Sequence, residues 1–177
     1  ERLAVQIAFQ GAGGLKGIVI SGTTGESPTL SEAEYRDLVG ASVGLARSAG
    51  LLAIAGTGSN STRHAQDLQK FARSVGADAT LSVNPYYNKP TQEGLYRHFM
   101  TVADAAAIPV VLYNIPGRTG VALAPATVER LAKHQNIVAI KEATGSLDSA
   151  SEICMRCPSL ALLSGDDVAV THFAEEY

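Results

Sequence analysis

The stretch Val138-Ala139-Ile140-Lys141-Glu142-Ala143-Thr144-Gly145 places a lysine at the end of a run of apolar, strand-forming residues. An ammonium group removed from water is costly unless it is paired, neutralised or chemically employed. Burial also lowers an amine's pKa, which turns lysine into a nucleophile for carbonyl groups. Two readings follow: a Schiff-base lysine, or a strand-end lysine whose head reaches solvent. The flanking elements decide between them.

On the C-terminal side, Ser146 to Met155 reads as a helix and Leu160-Ala161-Leu162-Leu163-Ser164-Gly165-Asp166-Asp167 as a further strand. On the N-terminal side, Pro109-Val110-Val111-Leu112-Tyr113-Asn114 is a strand, Ile115 to Gly120 a loop, and Pro125 marks the first turn of a helix reaching about His134. Before these, Ala79-Thr80-Leu81-Ser82-Val83 is a strand that ends in Asn84-Pro85-Tyr86-Tyr87-Asn88-Lys89-Pro90, and Thr91 opens a helix through about Ala106. Leu51 to Gly56 is a buried strand, followed by a helix near 62 to 75 that Gly76 stops. Lys16 to Gly22 is another short strand. After it, Ser31-Glu32-Ala33-Glu34 carries an N-cap with Glu34 at the capping-box position, opening a helix to about Arg47. Residues 1 to 10, with Leu3, Val5, Ile7 and Phe9, fit the tail of an amphipathic helix as well as an alternating strand.

Six apolar runs thus alternate with amphipathic helices, the pattern of a parallel sheet whose crossovers are helical. An open doubly wound sheet and a closed barrel both satisfy it. Each strand ends in a polar or glycine-rich segment: Thr23-Thr24, Thr57, Tyr86-Tyr87, Tyr113-Asn114, Lys141-Glu142 and Asp166-Asp167. In a (β/α)8 TIM barrel all these ends converge on one mouth, where the active site lies. An open sheet would leave the outer ones far apart, so the barrel is preferred. The cluster Gly11-Ala12-Gly13-Gly14 is not a dinucleotide fingerprint, because it precedes a strand where that fingerprint should follow one.

The 177 residues carry a net charge of -3 and a hydrophobic fraction of 46% with only 6% aromatics, which describes one globular domain with a sizeable aliphatic core. No run of basic residues marks a nucleic-acid or anionic-lipid surface, so small molecules or proteins are the expected partners. No apolar segment has the length of a membrane span, and Glu1-Arg2-Leu3-Ala4 does not read as a signal peptide, which makes the cytoplasm the expected location. Cys154 and Cys157 have the spacing of half a zinc site, but His64, His98, His134 and His172 are scattered singly, and the pair reads as cysteines near a helix end before Pro158.

If the strand ends converge, the mouth holds Lys141, Tyr113, Tyr86 or Tyr87, Thr23, Thr24 and Arg118. An imine-forming enzyme needs such parts: an amine, donors for a keto acid's carboxylate, a phenol that shuttles protons, and a guanidinium to clamp a second carboxylate. Taken singly, each has a plainer reading: Tyr113 as core, Tyr86 and Tyr87 as loop packing, Thr23 and Thr24 as turn residues, Arg118 as a solvated loop charge. Their joint occurrence at strand ends favours the site.

Gly22-Thr23-Thr24-Gly25-Glu26-Ser27, the Asn84 to Pro90 segment, Tyr113-Asn114-Ile115-Pro116-Gly117-Arg118-Thr119-Gly120, Ile140 to Gly145 and Leu163 to Asp167 together resemble the dihydrodipicolinate synthase and N-acetylneuraminate lyase family of class I aldolases. The double threonine before Gly-Glu-Ser, and Arg118 after Tyr-Asn-Ile-Pro, resemble the synthases more than the sugar-acid lyases. The resemblance implies condensation of pyruvate with aspartate semialdehyde, with Lys141 forming the imine and Tyr113, Thr23 and Tyr87 relaying protons. It further implies that Tyr87 reaches a neighbouring subunit's site, hence a homo-oligomer. Thr23 and Thr24 would bind the pyruvate carboxylate, Arg118 that of the semialdehyde, and Gly165 would line the pyruvate pocket. No metal or organic cofactor is implied. An aldolase acting on a sugar acid and a catalytically silent barrel segment are the alternatives.

Two departures from the family pattern stand out. A closed barrel takes about 250 residues, so residues 1–177 are expected to form a single, incomplete domain of about six strands, without the first and eighth strands and the C-terminal helices. Its exposed sheet edges would make the isolated chain less stable than a full-length relative and poorly active. In addition, Glu32 and Tyr35 stand where lysine-inhibited members carry histidines, although Ser27, Asn60 and Tyr86 are compatible with the effector site. The resemblance therefore does not carry lysine inhibition to this chain.

Overall fold

The structure is a computed structural model that describes residues 1–165. The chain alternates helices and strands: α1 (Arg2–Ala12), β1 (Gly17–Ile20), a 3-10 turn (Ser27–Thr29), α2 (Glu32–Ser48), β2 (Leu52–Gly56), α3 (Thr62–Ser74) and β3 (Ala79–Val83). It continues with α4 (Gln92–Asp104), β4 (Val110–Asn114), a one-turn α5 (Pro116–Thr119), α6 (Pro125–Leu131), β5 (Ile137–Glu142), α7 (Leu147–Arg156) and β6 (Ala161–Ser164). The N-terminal segment, which the sequence left open, is a helix.

Hydroxyl side chains set the helix starts. Ser31 Oγ accepts from the Glu34 N–H at 3.3 Å while Glu34 Oε2 accepts from the Ser31 N–H at 2.8 Å, the reciprocal box expected for α2. Ser61, Thr91 and Ser146 cap α3, α4 and α7 in the simpler way. The segment read as a helix to His134 stops at Leu131, and the strand read through Gly22 ends at Ile20, where Ser21 turns to a φ of 56°.

All six strands are parallel and lie in chain order, each beside its predecessor. A doubly wound sheet must reverse its strand order at a switch point. Among the described residues there is no reversal, and they form six consecutive strands of a curled (β/α) barrel with helices on its outer face. Asp166 and Asp167, expected to close the last strand, lie outside the described residues, as does His172.

Strand alternation divides the core in two. Ile20, Ala53, Ala55, Val110, Leu112, Ile137 and Ile140 face the helices, in clusters with Val39, Val43, Phe99, Leu131 and Ile153. Leu81, Val111, Tyr113 and Ala139 form a separate cluster on the concave face, with Ile54 and Val83 against it. β5 breaks the alternation: Val110 pairs with Ile137 but Val111 pairs with Ala139, leaving Val138 as an extra residue. Ile137 therefore faces the helices while Ala139, two residues on, faces inward. The bulge re-aims the rest of the strand, and it is what brings Lys141 to the face that carries Tyr113.

Candidate active site

Beyond the bulge, the register carries a continuous row across the concave face: Val83 beside Tyr113, Tyr113 beside Lys141, and Lys141 beside Leu163. The Lys141 Nζ stands 4.6 Å from the centroid of the Tyr113 ring, within the range of an attractive cation–π contact. Lys141 is half-buried, and among the described residues no carboxylate forms an ion pair with it. The ammonium is thus neither a freely solvated strand end nor one half of a structural salt bridge.

Gly165 closes the lysine in from the next strand end. A Cβ on it would lie 2.7 Å from Ala143 Cβ and 3.0 Å from Lys141 Cε, so the backbone approaches the lysine stem more closely than any side chain allows.

Tyr113 is buried at the end of β4. Burial raises its phenol pKa above the ordinary value, while the positive charge of Arg118 and a hydrogen bond from Thr23 pull it down. The net direction is upward, so the phenol keeps its proton at rest, with a guanidinium and a hydroxyl beside it that partly offset the cost of ionisation. Thr23 is in the turn after β1, and Arg118 is in α5, which Pro116 starts directly after the Tyr113 strand.

Among the described residues, the backbone N–H groups of Thr23 and Thr24 have no backbone acceptor, although the same turn satisfies Gly25 through Gly22 O and Glu26 through Thr23 O. Successive unclaimed N–H groups in a turn form a concavity suited to an anion.

A cavity of about 660 Å³ opens beside these groups. Thr23, Tyr113, Arg118 and Tyr86 line it, together with Ser27, Glu32, Tyr35 and His64 from the side of α2 and α3. Lys141 and Thr24 are not among the lining residues, and the lysine borders this space through the Tyr113 ring. Of the residues weighed for an effector site, Ser27, Tyr86, Glu32 and Tyr35 line the cavity; the Tyr35 hydroxyl donates to Gly56 O at 2.8 Å. Asn60 instead accepts at its backbone oxygen from Asn88 Nδ2 at 2.9 Å.

The structure therefore brings Lys141, Tyr113, Thr23, Arg118 and Gly165 together and leaves Tyr87 apart. Tyr87 is 89% exposed with a φ of 71°, and the Asn88 N–H closes a tight turn around it to Tyr86 O at 2.8 Å. A bulky residue at positive φ is a strained one. The turn projects the phenol outward, away from its own chain.

Sequence reading missed what lies behind the site. Asn84, Asn114 and Glu142 are all buried and joined: Asn84 Nδ2 donates to Asn114 Oδ1 at 3.2 Å, and Asn114 Nδ2 donates to Glu142 Oε2 at 2.9 Å. Each of these residues follows a strand position on the concave face, namely Val83, Tyr113 and Lys141. That recurrence of a polar residue one step past the inward-facing one was the signal available.

A barrel sheet with a lysine at its carboxyl mouth, a phenol against the lysine and an arginine beside the phenol defines the class of barrel proteins that includes the lysine-dependent aldolases. The chain belongs to the dihydrodipicolinate synthetase family, whose model matches residues 1–175. Among curated proteins, the 4-hydroxy-tetrahydrodipicolinate synthase of Geotalea daltonii is 55% identical over 168 residues, covering 94% of this chain and 58% of that protein. The synthase of Geobacter sulfurreducens matches to the same extent. The crystal structure of dihydrodipicolinate synthase from Aquifex aeolicus superposes with a TM-score of 0.91 at 47% identity, over 94% of this chain and 57% of that one. That of the chloride-inhibited Acinetobacter baumannii enzyme, complexed with pyruvate, superposes with a TM-score of 0.91 at 43% identity, over 97% of this chain and 59% of that one. The chain spans about 58% of the length of the curated relatives it matches.

Proposed function

We propose that this chain forms the catalytic part of a synthase that condenses pyruvate with L-aspartate-4-semialdehyde to 4-hydroxy-tetrahydrodipicolinate, a step toward diaminopimelate and lysine. The observation that carries the reading is the Lys141 Nζ held 4.6 Å over the Tyr113 ring, with Thr23 and Arg118 acting on the same phenol. Family membership and the synthase names of the relatives support it.

In this mechanism the Lys141 amine attacks the keto carbon of pyruvate. A C–N bond forms, the carbonyl oxygen takes up a proton to become a hydroxyl, and that hydroxyl leaves as water to give the imine. Loss of a proton from the pyruvate methyl yields the enamine. Its carbon attacks the aldehyde of the second substrate, whose oxygen is protonated to the alcohol. The substrate's own amino group then adds to the imine carbon and releases Lys141, so that one water is lost overall and the lysine is regenerated. Tyr113 carries the protons, hydrogen-bonded to Thr23. The N–H groups of Thr23 and Thr24 receive the pyruvate carboxylate, Arg118 that of the semialdehyde, and Gly165 leaves the space in which Lys141 and pyruvate meet.

Tyr87 is the third member of the relay, supplied by a second copy of the protein. Its exposure and outward-projecting turn support this, and a homo-oligomer is the working form. Residues 1–177 act as a single, incomplete barrel domain. A cytoplasmic location fits a biosynthetic role, and among the described residues no helix is long and apolar enough to cross a membrane.

The test is incubation with pyruvate and borohydride followed by residue-resolved mass spectrometry. A reduced pyruvate adduct on Lys141, absent from Lys141→Ala, is expected, and its failure to form would refute the reading. Product formation with aspartate semialdehyde, and none with sugar acids, then fixes the acceptor.

A further inference from the structure

Glu142 is 3% exposed and carries the only carboxylate on the strand ends around Lys141 among the described residues. Its described partners are uncharged: Asn114 Nδ2 donates to Oε2 at 2.9 Å and the Thr144 N–H donates to Oε1 at 2.9 Å. A buried carboxylate without a cation is costly, and an apolar residue of similar size would make the more stable core. The arrangement therefore asks for a purpose other than stability.

Asn114 shows what that purpose is. Its Oδ1 accepts from the Leu123 N–H at 2.9 Å and from Asn84 Nδ2 at 3.2 Å, while its Nδ2 donates to Leu123 O at 3.3 Å and to Glu142. All four hydrogen-bonding positions of the amide are used. Because Leu123 offers both an N–H and a carbonyl, the amide has only one workable orientation, and it aims Nδ2 at Glu142. In the register, Asn114 pairs with Glu142 just as Tyr113 pairs with Lys141 one step earlier. The two pairs lie on opposite faces of the same two strand ends.

We propose that Asn114 and Glu142 are a positioning pair: their bond on the helix side of the sheet locks the C-terminal ends of β4 and β5 together and so fixes Lys141 against Tyr113 on the other side. This rests on reading Lys141 as the imine-forming residue. Neither member touches substrate.

The experiment compares Glu142→Ala and Glu142→Gln with Gln69→Leu, which breaks an equally buried bond elsewhere in the fold, from Thr57 Oγ1, just past β2, to Gln69 Oε1 of α3 at 2.9 Å. Folded fractions are fixed by denaturant titration, and the rate of borohydride-trapped pyruvate on Lys141 is measured per folded molecule. Displacing a reacting group by about 1 Å costs up to roughly a hundredfold in rate. At saturating pyruvate, Glu142→Ala is expected to slow trapping by at least about tenfold with the half-saturating concentration changed by less than about threefold, and Gln69→Leu to stay within about twofold of wild type. Glu142→Gln keeps one of the two acceptor contacts and should fall between. Equal slowing in Glu142→Ala and Gln69→Leu, or none in Glu142→Ala, would overturn the proposal.

A second reading of the same proteins needs no pyruvate. Formaldehyde and borohydride methylate lysines generally, and the ratio of Lys141 to the exposed Lys70 reports the lysine's setting within one molecule. If wild type takes no pyruvate, the proposed function fails, and this ratio still decides the positioning pair. A shift beyond about threefold in Glu142→Ala but not in Gln69→Leu supports it, and an unchanged ratio refutes it. Should Glu142→Ala fail to fold, Glu142→Gln carries the same comparison.

Discussion

Replacing Gly165 with alanine adds one methyl group at the tightest point of the lysine's surroundings. The new Cβ would sit 2.7 Å from Ala143 Cβ, 3.0 Å from Lys141 Cε and 3.3 Å from Glu142 O. Carbon atoms rest at about 3.5–4.0 Å from one another, so the first contact is too short by about 1 Å. The Lys141 stem has rotatable bonds and can retreat. Ala143 Cβ is fixed to its backbone, and the Gly165 N–H is tied to Glu142 O at 2.7 Å, so part of the strain falls on the ends of β5 and β6. Overpacking of this size costs about 1–3 kcal/mol of stability. A lysine moved by about 1 Å loses roughly ten- to a hundredfold in imine formation. Denaturant unfolding and borohydride trapping on the same sample measure the two losses separately. The expected result is a lower unfolding midpoint together with slower trapping than the folded fraction accounts for. A Gly165→Ala protein with wild-type stability and wild-type trapping would show that the lysine is not confined as described.

Three further outcomes follow from the same geometry. Burial pushes the His98 imidazole down to about 4 from the 6.5 of an exposed histidine. The unfolded chain thus binds this proton more readily, and the stability from keeping the ring neutral is complete above pH 6.5 and is lost as pH falls toward 4. The loss amounts to about 3 kcal/mol. Denaturant midpoints of His98→Gln should be markedly flatter than wild type across this window, and parallel curves would count against the assignment. Removing Arg118 takes away a positive charge that lowers the Tyr113 pKa, so Arg118→Ala should raise the phenol's titration further, read by tyrosinate absorbance against Tyr113→Phe; a lowered value would contradict the described site. Tyr35→Phe leaves Gly56 O without its 2.8 Å donor and should cost about 1 kcal/mol in a denaturant titration, whereas a neutral effect would mean that the carbonyl is satisfied by other means.

The alternation of strands and helices was legible because each parallel strand is short, apolar and bounded by breakers, and because Ser31, Thr91 and Ser146 announce helix starts through the chemistry of their hydroxyls. Chain-order pairing was legible only through the polar strand ends, since periodicity alone does not separate a barrel from an open sheet. The site residues were found where their type was incongruous, as Lys141 is at the end of an apolar strand. What escaped was set by relations between segments. Nothing local to Val138 marks it as the extra residue, because a bulge is a mismatch in count between two strands. Glu142 read as an ordinary strand-end carboxylate until its burial and the partner from β4 were seen. Tyr87 could be placed on a loop from sequence, but its outward turn depends on a strained φ that no residue type there favours.

The bulge and the buried polar residues are two parts of one arrangement. Successive strand residues point to opposite faces, so Tyr113-Asn114 and Lys141-Glu142 each place a reactive group in front of the sheet and a hydrogen-bonding group behind it. The front groups need freedom from competing partners to exchange protons or form an imine. The rear groups need the opposite, and Asn114 has every polar position engaged. Which of the two faces the barrel interior is a matter of parity, and Val138 sets the parity for β5. Were Val138 instead paired with Val111 in simple alternation from Ile137, Ile140 would stand beside Tyr113 and Lys141 would lie beside Asn114, turned toward the helices. An ammonium turned to that apolar side would be unfavourable. A single irregularity near the start of β5 therefore makes the placement of Lys141 at its other end compatible with folding, and puts the amine on the side where a carbonyl compound can reach it.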